Sequence, residues 1–244
     1  MFLDAFHNPD ADGIRISAQQ GSRFAKEVAG DFNPLHDPDN KRFCVPGDLM
    51  FSLVICRYGL SPHMEFRFSG MLGADTPLLM PATDADEFAL RDANDKTYLE
   101  IKRSGEPVHD AEVIENLVRR YVAFSGHNFP HIMVPLMRQK GVMINTDRPM
   151  VIYESMSFQL DGPVGPDLTL ELVDSNLEYN GKRGASKLHF EFRENGEVAG
   201  RGCKNILLSG LRDYEEEKMR DLVHRYEGWR AAHQNGEAQS TTTG

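Results

Sequence analysis

Apolar residues crowd most densely between Val45 and Leu60, where Leu49, Met50, Leu53, Val54 and Ile55 follow Pro46-Gly47 and stop at Gly59 and Pro62. That run reads as a helix apolar on nearly every side, which other structure must wrap. Upstream, Ile14 to Ile16 suits a short strand, and Ser17 can cap a helix through Ala29. Phe24, Ala25 and Val28 would lie on one face of that helix, with Gly30 as its stop. Downstream, Met64 to Leu72 alternates apolar and polar, the period of a half-buried strand. Glu87 to Arg91 and Thr97 to Arg103 read as two more strands joined by the turn composition Asp92-Ala93-Asn94-Asp95. Ser104-Gly105-Glu106-Pro107 breaks the pattern, and a boundary is placed there.

The same order then recurs. Glu112 to Phe124 has helical spacing, Gly126-His127-Asn128-Phe129-Pro130-His131 is a turn, and Ile132 to Arg138 is a second apolar helix. Strands follow at about Val151 to Leu160, Thr169 to Tyr179, Ala185 to Arg193 and Val198 to Leu208, the last two joined by the hairpin signal Glu194-Asn195-Gly196. The pattern predicts an α+β chain of two sequential helix-plus-antiparallel-sheet units, residues 1–106 and 107–212. Residues 213–233 place Met219, Leu222, Val223, Tyr226 and Trp229 on one face of an amphipathic helix, and residues 234–244 read as a disordered polar tail.

Composition narrows the partners. A length of 244 residues with 40% hydrophobic positions supports a packed core, and a formal net charge of −10 argues against nucleic acid or an anionic membrane. Cys44, Cys56 and Cys203 form no CxxC pair and are odd in number, which excludes a disulfide framework and a cysteine zinc site. The N-terminus lacks a basic region before an apolar core, and no run approaches the roughly twenty apolar residues of a membrane helix. A cytoplasmic location is the expectation.

The chemistry concentrates in Gly30-Asp31-Phe32-Asn33-Pro34-Leu35-His36, just ahead of the apolar helix. Asn33-Pro34 forces the backbone out of any preceding helix, so Asp31 and His36 are expected to face each other across a loop. Such a pair can serve as acid and base, or it can simply staple the loop by a hydrogen bond. Asp48, next to Gly47, suits the positive end of the helix dipole and is expected to turn away from any pocket. His127 and His131 have i, i+4 spacing, but Pro130 lies between them and no carboxylate is near, so no metal is expected.

Residues 29–36, with the Gly47 helix, resemble the hydratase motif of the MaoC-like branch of the hotdog superfamily. The resemblance is specific over about Phe24 to Leu60; elsewhere only the order of elements agrees. It implies a double hotdog, two fused units each with a sheet wrapped on a central helix, the second a degenerate copy. It also implies that Asp31 and His36 are catalytic, holding a water that adds to an enoyl thioester. Asn33 would brace the loop at the substrate, and a Gly47 backbone N–H would take the charge on the carbonyl oxygen. No cofactor is implied. The partner would be a small-molecule acyl thioester, with neither nucleic acid nor membrane, and a homodimer of such chains is an expected assembly. Three activities stay open at this level: hydration or dehydration, thioester hydrolysis, and acyl-thioester or lipid binding without turnover. The sequence departs from the motif where hydratases carry His-Gly and this chain reads Pro46-Gly47.

Overall fold

A computed structural model describes residues 2–11 and 13–241, with side chains through residue 235. In chain order the strands are β1 (Asn8–Asp10), β2 (Gly13–Arg15), β3 (His63–Phe68), β4 (Leu78–Leu79), β5 (Glu87–Arg91), β6 (Thr97–Ser104), β7 (Val142–Met143), β8 (Val151–Leu160), β9 (Thr169–Asn180), β10 (Arg183–Glu194), β11 (Glu197–Ser209) and β12 (Arg212–Asp213). The α-helices are α1 (Ala18–Arg23), α2 (Gly47–Tyr58), α3 (Ala111–Gly126), α4 (Asn128–His131), α5 (Met133–Lys140) and α6 (Glu216–Thr241).

Ten strands form one antiparallel sheet in the order β1-β2-β4-β5-β6-β3-β8-β11-β10-β9, and β12 pairs with β7 separately. The two halves of the chain meet at β3 and β8, where His63 pairs with Gln159 and Arg67 with Ser155. The sheet curls around α2, in which Leu49, Met50, Phe51, Leu53, Val54 and Ile55 are each at most 5% exposed. Phe51 packs edge-on against Phe66 of β3 at 5.0 Å and tilted against Tyr121 of α3 at 4.7 Å. Each such side chain contributes on the order of 1.5–3 kcal/mol by leaving water, so α2 is the anchor of the larger core. This is the expected α+β hotdog arrangement: a long antiparallel sheet, a buried central helix and a C-terminal helix.

The path into the site is set by local chemistry. Ser17 caps α1 in a capping box with Gln20. The helix widens into a π turn over Phe24–Ala29 and ends at Gly30, whose φ of 65° only glycine adopts without strain. Of the expected strands, β5 and β8 fall at the anticipated bounds, while the alternating strand β3 ends at Phe68 and not at Leu72. The turn after α3 is not plain loop, because α4 occupies Asn128–His131 around an extended Phe129. Helix α6 runs past the expected residue 233; the expected tail falls partly on its last turns and otherwise outside the described residues. No helix among the described residues is long and apolar enough to cross a membrane.

Candidate functional site

Gly30 delivers the chain into a tight loop that its own side chains fasten. The Asp31 Oδ1 accepts the Asn33 backbone N–H at 2.9 Å, and the Asn33 Oδ1 accepts that of Leu35 at 3.1 Å, starting a 3₁₀ turn over Pro34–His36. That turn presents His36 back toward Asp31. The His36 Nδ1 lies 2.7 Å from the Cys44 carbonyl oxygen, an atom that can only accept, so Nδ1 carries the proton. In the neutral ring Nε2 is therefore a free acceptor, and it lies 3.6 Å from Asp31 Oδ2. That separation is too long for a direct hydrogen bond. Two acceptors so placed can share one water, which donates a proton to each.

The pair opens into an apolar cavity of about 360 Å³, walled by Met50, Phe68, Met133, Ile152 and Ile206 among others. Asn33 and Gly47 line it too, so all four residues singled out from the sequence share one space. Gly47 begins α2 after Pro46, and no side chain caps that first turn, which leaves N–H groups without intrahelical partners at the cavity wall. Rings of Phe68 and Tyr153 would stand 3.1 Å from a Cβ at this position.

Asp48 corrects the expectation. It is buried and lines the cavity, because every residue of α2 from Asp48 to Ile55 is enclosed and the helix start has no solvent side to which it could turn. Its Oδ2 instead accepts the Ser125 hydroxyl of α3 at 2.6 Å, and the Lys204 ammonium of β11 donates to the Ser125 oxygen. Burial pushes the Asp48 carboxyl above its ordinary range, while Lys204 and the Ser125 hydrogen bond pull it back. Burial pushes Lys204 down, opposed by the charges of Asp48 and Asp31. Lys204 also sits 4.1 Å from the centre of the Tyr153 ring, a cation–π contact in a dry setting. The Tyr153 and Tyr121 hydroxyls touch each other, and burial keeps both protonated.

The sequence reading missed Ser125, Asn128, Lys204 and Tyr226, all of which line the same cavity. One signal was available for Lys204: it occupies the inward register shared by Ile206 and Leu208 on β11, a lysine in a core slot. Asn128 and Tyr226 gave no such sign. Tyr226 of α6 accepts the Phe32 N–H at 3.1 Å, with Asp31 Oδ1 and the Gly30 carbonyl each 3.5 Å from its hydroxyl. His127 sits apart from any metal set, stacked on His131 at 6.3 Å with Arg230 2.8 Å from its Nε2. Among the described residues no three metal-ligating side chains converge.

Fold and site together define a hotdog protein with an acid–histidine pair on the wall of one apolar cavity. Residues 1–217 match the family described as "Protein of unknown function (DUF3581)", and the chain belongs to that family. A search of curated proteins finds no match. Among solved structures, the chain is similar to a conserved protein of unknown function with hot dog fold from Alicyclobacillus acidocaldarius, at 7% identity over 86% of this chain and 98% of that one, with a TM-score of 0.46. It is similar to full-length peroxisomal multifunctional enzyme type 2 from Drosophila melanogaster at 10% identity, over 79% of this chain and 47% of that one, TM-score 0.44. An acyl-CoA thioesterase II from Mycobacterium marinum gives 9% identity, 88% and 99% coverage and a TM-score of 0.40. Likenesses this distant carry no chemistry over to the chain.

Proposed function

We propose that the protein acts on an acyl thioester by reversible hydration of an enoyl chain, with Asp31 and His36 as the catalytic pair in the manner of the MaoC-like branch. The observation that carries this reading is the 3.6 Å gap between Asp31 Oδ2 and His36 Nε2, the acceptor nitrogen of the neutral ring because Nδ1 donates to the Cys44 carbonyl. A water bridging that gap is oriented by Asp31 and gives a proton to His36 as its oxygen bonds to the β-carbon. The π electrons move to the carbonyl oxygen, where a bare N–H of the Gly47 turn receives the charge. His36 then returns that proton to the α-carbon, which completes the addition of water across the double bond and regenerates the pair. Asp48 does not oppose the enolate in this reading, since its carboxyl is either protonated by burial or offset by Lys204.

In this reading the chain is two fused hotdog units, residues 1–106 and 107–212. The first unit's strands stand in the order β2-β4-β5-β6-β3, and the second follows the same plan with β9-β10-β11-β8, which supports the division. The second unit's loop, Gly126 to His131, has no acid after its glycine and serves to shape the acyl tunnel.

The test is turnover of purified protein with enoyl-CoA of several chain lengths. Hydration is expected, falling by roughly 10²–10⁴ in Asp31→Ala and His36→Ala. Both variants should melt within about 4 °C of the wild type, since neither residue is in the core. Release of free thiol from saturated acyl-CoA would replace hydration by hydrolysis at the same pair. Ligand-dependent thermal stabilisation without turnover would reduce the protein to a binding module.

A further inference from the structure

Three buried polar atoms on the cavity wall find no hydrogen-bond partner among the described residues: Oδ1 of Asp48 and both Nδ2 and Oδ1 of Asn128. Asp48 is 8% exposed and Asn128 4%, and both line the cavity. Leaving such atoms unmatched costs roughly 1–3 kcal/mol each, so a fold that keeps them together at one cavity has a use for them. Beside them the Lys204–Ser125–Asp48 chain fixes the carboxylate in place, with Lys204 and Ser125 each 5% exposed.

Depth decides which part of a ligand reaches this cluster. Asp31 and His36 keep 24% and 13% of their side chains exposed, and Asn33, Pro34 and Trp229 beside them also line an outer surface groove. A ligand entering from that side meets the Asp31–His36 pair before it meets Asn128 and Asp48. The polar cluster is therefore the more enclosed part of the site, open to the acyl part of a ligand and not to the thiol carrier, which stays toward the outside. The group that matches the unpaired atoms must accept from Asn128 Nδ2 and donate to a carboxylate or amide oxygen. A ketone offers no proton, an ionised carboxylate offers none either, and a plain alkyl chain satisfies none of the three. A hydroxyl does both.

We propose that Asn128 and Asp48, held by Ser125 and Lys204, form a recognition site for a hydroxyl group carried on the acyl chain, so that the cavity selects hydroxylated over plain acyl chains. The inference rests on the reading of the cavity as an acyl site, but it concerns binding and needs no turnover. It is tested on the full chain by calorimetry with two probes, dodecanoic acid and a set of its mono-hydroxylated isomers. At least one hydroxylated isomer should bind about 10-fold or more tighter than the plain acid. Asn128→Leu should erase that preference while keeping or improving affinity for dodecanoic acid. Asn128→Asp, which preserves shape but removes the amide donor, should erase it too, and covers the case in which the leucine variant does not fold. Equal binding of plain and hydroxylated acids, binding of neither, or a preference that survives both substitutions overturns the proposal. A protein that hydrates enoyl-CoA without this preference would overturn this inference alone. A preference in a protein inert toward thioesters would overturn the hydratase reading alone.

Discussion

Burial on every side of α2 decides what Asp48 can be. A carboxyl at the second position of an exposed helix would stay ionised and soften the dipole; here it is buried where α2 meets α3, and among the described residues Ser125 is the hydrogen-bond donor to it. The consequence is a measurable dependence of stability on pH. Burial raises the folded-state pKa of Asp48 above the ordinary value of 3.8 that it has in the unfolded chain. A raised acid binds its proton more tightly when folded, so its contribution is present below that ordinary value and is lost as pH rises through the raised one. Relative to Asp48→Asn, the wild type should lose stability as pH climbs from about 4, at up to about 1.4 kcal/mol per pH unit, and level off above the folded pKa. Urea midpoints of both proteins between pH 4 and 8 report the difference; a gap that does not change with pH would mean that the carboxyl is ionised throughout. Lys204 has the opposite sign, its charged form being disfavoured by burial.

At the scale of elements, the start of α2 is where geometry and chemistry coincide. Gly47 is small because the Phe68 and Tyr153 rings leave no room for a Cβ without moving by a few tenths of an ångström. Gly47→Ala should push those rings or the helix start and crowd the N–H groups of the first turn. A loss of about 10²–10³ in kcat is expected with a melting temperature lowered by only a few degrees. An alanine variant with unchanged kcat would remove this turn from the reaction. The elements themselves were legible in the sequence, because their signals are local. Period-two alternation marks β3, the Asn195-Gly196 turn joins β10 to β11, and Ser17 and Gly30 bracket the first helix. The Asp31–His36 loop was legible for the same reason, since Asn33-Pro34 constrains it from within. Ser125, Asn128 and Lys204 were not, because each acquires its meaning from another element: α3 meets α2 at Ser125, and β11 brings Lys204 there from 79 residues away. Close approach also explains Gly126, where a Cβ would fall 1.9 Å from the Ala29 carbonyl oxygen and prevent α3 from backing onto the end of the first helix, just before the Asp31–His36 loop.

For the molecule as a whole, α6 is the element that ties the two halves to one site. It begins at Glu216, at the end of the family match at residue 217, yet its Tyr226 reaches the first-half loop and its ring packs edge-on against Phe32 at 6.0 Å and Phe129 of the second half at 5.2 Å. The hydroxyl is the sole buried acceptor given to the Phe32 N–H among the described residues, and the same oxygen stands over Asp31. Packing of α6 was foreseen from its apolar face; the approach of its Tyr226 hydroxyl to Asp31 was not, since nothing in an amphipathic pattern says which side chain ends beside a carboxylate 195 residues away. Tyr226→Phe keeps both ring contacts and removes only the oxygen. It leaves a buried N–H unpaired, so a destabilisation of about 1–3 kcal/mol is expected. If the hydroxyl also holds the loop in register, kcat for enoyl-CoA should fall by up to about 10-fold with KM little changed, because a misplaced Asp31 orients water poorly while the apolar cavity still binds the acyl chain. A merely structural tyrosine predicts a different outcome: the stability loss alone, with kcat per folded molecule equal to the wild type at a temperature where both are fully folded. The two results separate a C-terminal helix that only covers the sheet from one that completes the site, and they can be read from the same preparation by melting curves and initial rates.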